Sequence, residues 1–170
     1  MRRNRKAALA TVLIAVPAIG ANVLPSAAQE QPPPIATELL SGRAAFPDDV
    51  DAKIKIKLEG QARRVVHVVD PSRTVVARFT VQPGAQFPWH SHAGPVIANV
   101  TKGELVFVDG DDCVERAYGA GTAFVDAGHG HTHTAFNATS EPTVLVATFF
   151  EAPAEGPLVI PTAPPADCTV

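Results

Sequence analysis

Pro83-Gly84-Ala85-Gln86-Phe87-Pro88-Trp89-His90-Ser91-His92 is the stretch on which the fold of this chain turns. It ends on two histidines separated by a single residue. On a β-strand residues i and i+2 point to the same face, so His90 and His92 present two imidazoles side by side. That arrangement chelates one ion through two neutral nitrogens. About forty residues later, Gly128-His129-Gly130-His131-Thr132-His133-Thr134-Ala135-Phe136-Asn137 repeats the pattern, with His131 and His133 again at i and i+2. Four of the six histidines form these two doublets. A cluster of buried, unpaired imidazoles costs desolvation energy unless an ion sits among them. His67 and His129 stand outside the doublets and read as surface histidines.

The sequence around the doublets is β throughout. Lys53-Ile54-Lys55-Ile56-Lys57-Leu58 alternates charged and apolar residues, as a half-exposed strand does, and Gly60 ends it. Arg64–Val69 and Thr74–Val81 follow, separated by an Asp70-Pro71-Ser72 turn. Further apolar runs lie at Val96–Val100, Leu105–Val108, Val114–Tyr118, Ala123–Val125, His131–Phe136 and Thr143–Phe150, with turn residues between them. Short strands at this spacing, without helical periodicity, predict an all-β, single-domain antiparallel sandwich or β-barrel. A barrel would bring the two histidine strands together across its lumen. Ile35–Leu40 is read as a short helix with Thr37 as its cap.

The ends of the chain have a different character. Arg2, Arg3, Arg5 and Lys6 precede an apolar run from Ala7 to Leu24, and Ser26-Ala27-Ala28 supplies the small residues that a signal peptidase reads. Asn4 and Arg5 stand where a twin-arginine signal wants apolar residues, which favours the general secretory route. The organisation read from the sequence is a signal peptide over 1–28, a linker and short helix over 29–51, a barrel over 52–151 and a proline-rich tail over 152–170. The protein is therefore expected to be secreted or extracytoplasmic, with Gln29 as its first mature residue. Without residues 1–28 the chain carries 10 Lys+Arg against 17 Asp+Glu. That balance argues against a nucleic-acid partner and against an anionic membrane surface after cleavage. A small-molecule ligand or substrate is the partner class that remains, and a homodimer is compatible with it. Cys113 and Cys168, far apart and in no Cys-x-x-Cys pair, are expected to form a disulfide in an exported protein.

The two histidine segments together resemble the cupin superfamily. The run from Gly84 fits its first motif, Gly-x5-His-x-His, and reaches the closing Gly103 after one strand. Gly130-x2-His133-x3-Asn137 fits the second half of the second motif, with Gly121 near the place of its first glycine. The resemblance spans roughly Thr74 to Phe150 and implies a jelly-roll barrel holding one divalent transition metal ion, whether copper, zinc, iron, manganese or nickel. It carries His90, His92 and His133 over as ligands. The family's glutamate ligand falls on Val96 here. His131 either replaces it as a fourth ligand or only lines the site. The Pro88–His92 and Phe124–His133 runs and the late cysteine resemble a group of small exported cupins.

Other chemistry is sparse. No serine lies in a nucleophile elbow and no glycine-rich phosphate loop opens a helix. Asp109, Asp111 and Asp112 read as a hairpin turn rather than a calcium loop. Gln86, Tyr118 and Asp126 are the candidates for an acid or base in the lumen. Two functions follow from the resemblance: a metal-dependent oxygenase-type enzyme acting on a small, anionic organic molecule, or a non-catalytic metal- or ligand-binding module.

Overall fold

Alternation in Arg73–Val81 (β5) builds the centre of the molecule: Val75, Ala77, Phe79 and Val81 are buried, while Arg78 between them is exposed. This computed structural model describes residues 34–57, 62–69 and 73–169. The expected signal peptide, its expected cleavage point and the expected Asp70-Pro71-Ser72 turn lie outside the described residues. β5 pairs antiparallel with Ile35–Leu39 (β1) and Thr143–Phe149 (β12), and Ala44–Ala45 (β2) also pairs with it. β12 continues to Val96–Lys102 (β7), which pairs with Ala123–Asp126 (β10). β12 and β7 alternate in the same way, so Leu145, Ala147 and Phe149 join Val96, Ala98 and Val100 on the inner face.

A second antiparallel sheet covers that face. Its order is Ile160–Pro161 (β13), His90–Ser91 (β6), His133–Phe136 (β11), Glu104–Asp109 (β8) and Glu115–Gly119 (β9). Leu105, Phe107 and Ala135 pack from it into the same core as Phe79 and Phe149. Burial of a side chain such as Phe107 stabilises by about 1.5–3 kcal/mol. A hairpin of Asp51–Ile56 (β3) and Arg64–Val69 (β4) lies beside the two sheets. Its Ile56 and Val66 pack with Ala127, which explains the Lys-Ile alternation. No strand ladder among the described residues joins the sheets edge to edge, so the expected barrel is two opposed sheets.

The expected helix at Ile35–Leu40 is a strand instead. Ile35 pairs with Val81 and Leu39 with Ala77, and the Gln82 amide extends the ladder to the Pro34 carbonyl at 2.9 Å. Six residues are too few to hold a helix in isolation, whereas an open edge of β5 satisfies every second backbone group of an extended segment. The other correction is at the far end. Part of the proline-rich tail enters the second sheet as β13, with Ile160 opposite Ser91 and Pro161 opposite His90. Among the described residues there is no helix, and so none long and apolar enough to cross a membrane.

Two glycines fix turns that matter. At Gly103 φ is +73°, and a Cβ there would lie 2.7 Å from Thr143 Oγ1, the hydroxyl that bonds both backbone groups of Glu104. At Gly128 φ is +64°, and a Cβ would lie 2.0 Å from the Gly94 carbonyl oxygen. That close approach locks the loop between Asp126 and His131 against the loop after His92.

Candidate metal centre

β6 and β11 are neighbours in one sheet, and His133 stands directly opposite His90 in their register. The two histidine segments therefore meet side by side rather than across a lumen. His92 follows β6, and its ring centroid lies 4.9 Å from that of His90 and 5.1 Å from that of His133. The His90 and His133 centroids are 4.3 Å apart. One nitrogen from each ring falls within 4.8 Å of the others, and all three residues are at least nine-tenths buried.

Backbone carbonyls set two of the tautomers. His90 Nδ1 donates to the Pro88 carbonyl at 2.6 Å, and His92 Nδ1 donates to the Leu158 carbonyl at 2.8 Å. Each Nε2 then keeps its lone pair. Burial, reinforced by the neighbouring His133, pushes the His90 imidazole down to about 3 and lowers that of His92 as well. Both rings are thus neutral donors at physiological pH. His133 Nδ1 lies 3.2 Å from Asp126 Oδ1 but off the line a hydrogen bond needs, so it is a buried nitrogen without a hydrogen-bond partner. Its ring stacks on Phe107 at 5.0 Å.

His131 is not part of this trio. The strand begins at His133, so His131 sits in the loop before it and loses the i, i+2 relation. Its Nδ1 donates to Asp126 Oδ1 at 2.5 Å and its Nε2 to Asp109 Oδ1 at 2.8 Å. An imidazole that donates from both nitrogens is the cation and has no lone pair for a metal. Burial opposes that charge, but the hydrogen bonds from Asp109 and Asp126 outweigh it and raise His131 to about 9. Burial likewise opposes the charge on Asp126, and the hydrogen bond from His131 together with the nearby His133 overcomes it, holding the carboxyl well below the usual range. His131 thus bridges two buried carboxylates behind His133, and its nitrogens also fall close enough to Asp126 and His133, and to Asp109 and Asp111, for either group to hold an ion.

Asp109 and Asp126 are the residues that sequence reasoning undervalued. Asp109 is fully buried, not a turn residue facing solvent. Strand parity carried the signal, since Leu105, Phe107 and Asp109 share one face of β8 and Phe124 and Asp126 share one face of β10. Of the three acid–base candidates only Asp126 lines the cavity. Gln86 donates to Thr134 Oγ1 at 3.2 Å and Tyr118 packs on Phe124. Asn137 holds a turn, donating to the Val81 and Glu141 carbonyls. His67 and His129 are exposed, and His129 pairs with Glu151 at 2.5 Å.

The trio opens onto a cavity of about 50 Å³, room for an ion and a few waters. Its walls are Phe79, Phe87, Phe107, Phe124 and Phe149 with Val96, the position at which the resemblance expects a glutamate. Among the described residues, Asp126 supplies the one carboxylate lining the cavity, and no lysine or arginine lines it.

Residues 77–149 match the family described as Cupin domain. Among curated proteins none matches the chain. Similar solved structures include the polyketide cyclase RemF from Streptomyces resistomycificus, at 23% identity and a TM-score of 0.45 over 53% of this chain and 61% of that one. Recombinant oxalate oxidase in complex with glycolate matches at 26% identity and a TM-score of 0.43, over 52% of this chain and 45% of that one. The cupin domain of a transcriptional regulator from Enterobacter cloacae matches at 16% identity and a TM-score of 0.45, over 71% and 99%. The chain thus spans less than two thirds of the cyclase and under half of the oxalate oxidase.

Proposed function

The chain belongs to the cupin superfamily, and on that premise we infer that His90, His92 and His133 hold one divalent transition metal ion in an exported enzyme of oxygenase type. The observation that carries this reading is the buried trio of imidazoles with nitrogens within 4.8 Å of one another. Copper, zinc, iron, manganese and nickel all accept such a donor set. The buried Nδ1 of His133, 3.2 Å from Asp126 Oδ1 yet without a hydrogen bond, adds to the fit, since a buried polar atom otherwise carries a desolvation cost. When bound, such an ion supplies Lewis-acid charge and open coordination positions.

The chain's own residues define the rest. The Pro88 and Leu158 carbonyls orient the rings of His90 and His92, and Asp126 stands behind His133, as carboxylates do behind metal-bound histidines. The phenylalanine walls exclude water and suit an apolar body. Neutral ligands leave the ion its full charge, which favours a substrate with one anionic oxygen, such as an enolate, phenolate or carboxylate. Asp126 disfavours a second anionic group.

One observation favours the alternative, a metal- or ligand-binding module without turnover. Both Asp126 oxygens are engaged, Oδ1 by His131 and Oδ2 by the Gly128 amide at 2.8 Å, which leaves no spare acid or base in the cavity. Oxygen uptake by tag-free protein loaded with each metal, against a panel of small enolates, phenolates and carboxylates, separates the two. Uptake that disappears in His90→Ala supports the enzyme. Ligand-induced spectral shifts without uptake support the module, and silence in both overturns both.

A further inference from the structure

The family match ends at residue 149, yet the chain beyond it returns to the metal centre. Four observations place it there. The Leu158 carbonyl accepts the Nδ1 proton of His92 at 2.8 Å. Val159 lines the cavity, among the described residues the one lining residue from beyond Phe149. Ile160–Pro161 pairs with His90–Ser91, and the Thr162 amide donates to the Trp89 carbonyl at 3.0 Å. Cys168, buried, is bonded to Cys113 in the turn that follows Asp109.

We propose that Leu158–Cys168 is a tethered strap that completes the metal centre: Leu158 and Val159 are positioning residues that fix the His92 ring and close the cavity, and the disulfide holds them in place. The inference rests on the metal reading for its functional sense. A short ladder and one further amide bond are a weak fastening for eleven residues, and the covalent tie at Cys168 makes it permanent. Without the strap, the buried Nδ1–H of His92 loses its acceptor. The ring is then free to turn or change tautomer, and Nε2 is no longer committed as a donor. The cavity also loses the wall that Val159 provides.

Two variants of the full chain, Cys113→Ser with Cys168→Ser and Val159→Gly, and one shortened chain ending at Pro157 test this. His67→Ala serves as control. Two readouts are taken, the rate at which excess EDTA removes zinc, and nitrogen-edited NMR of the His92 ring in metal-free protein. The wild type should show an Nδ1–H tautomer with a protected ring proton and slow zinc removal. The serine pair should accelerate both ring-proton exchange and zinc removal by roughly tenfold or more, the scale of losing a group that orients a metal ligand. Val159→Gly should speed zinc removal while the His92 ring stays as in wild type. The chain ending at Pro157 should exceed the serine pair in both. If it does not fold, the other two variants decide. Rates within about twofold of wild type in the serine pair overturn the strap. If wild type takes up no zinc, the metal reading fails while ring-proton exchange still decides: acceleration in the serine pair keeps the strap as the cap of an apolar cavity, and no change removes it.

Discussion

Replacing His131 with alanine should destabilise the metal-free protein severely. His131 is buried between Asp109, fully buried, and Asp126, 1% exposed, and donates to both. Near neutral pH it is the cation shared by two buried carboxylates. Removing one partner of such a group costs about 3–5 kcal/mol, because the remaining charge stays out of water. Against a total stability of about 5–15 kcal/mol this is a large fraction. With a urea slope of about 2 kcal/mol per molar, the midpoint should fall by about 1.5–2.5 M. Trp89 fluorescence during urea denaturation at pH 6 reads it. The pH dependence has a definite sign. The folded-state pKa of about 9 lies above the ordinary 6.5, so the contribution is complete below pH 6.5 and is lost as pH rises through 9. The gap between wild type and variant should therefore narrow from pH 6.5 to 9. A gap below about 1 kcal/mol at pH 6, or one that widens with pH, would refute the account of His131 as a buried cation.

Three other outcomes are expected. N-terminal sequencing of the exported protein should begin at Gln29, and an intact Met1 in a membrane fraction would overturn the cleaved leader. Thiol titration of the unreduced, denatured protein should find no free thiol. The Cys113→Ser, Cys168→Ser pair should lose up to about 4 kcal/mol for a closed loop of 55 residues. The metal-free protein should weaken as pH falls from 6.5 toward 4. His90 stays neutral when folded but takes up a proton when unfolded, which removes about 1.4 kcal/mol per pH unit below 6.5, and His92, also lowered by burial, acts in the same direction. Urea midpoints at pH 7, 5.5 and 4 measure this, and His90→Ala should flatten the dependence.

What the sequence made legible follows its two-residue period. His90, Val96, Phe107 and His133 are buried and line one cavity, and alternation and motif spacing pointed to that face. The Cys113–Cys168 pairing was legible from two cysteines far apart and in no Cys-x-x-Cys pair, on the expectation of export. Two features were hidden. Ile35–Leu39 carries no alternation of its own, because its structure is imposed by the free edge of β5 rather than by local pattern. His131 looked like a strand partner of His133 because i, i+2 spacing holds only where the strand has begun, and here a glycine-rich loop runs until Thr132. Its true partners are separated from it by 5 and 22 residues, and only the fold brings them together. Leu158 contributes a backbone carbonyl, which no side-chain motif records.

The most direct test of the metal centre is elemental analysis of tag-free protein alongside His90→Ala, His92→Ala, His133→Ala and His131→Ala, each first shown to be folded. Wild type should carry, or take up at micromolar concentration near pH 7.5, about one divalent transition metal per chain. The first three variants should hold none stoichiometrically, because two remaining nitrogens cannot retain an ion tightly. His131→Ala, where it folds, should keep the ion more weakly than wild type but better than His133→Ala. Wild type that carries no metal and binds none under those conditions would contradict the account, whatever its fold.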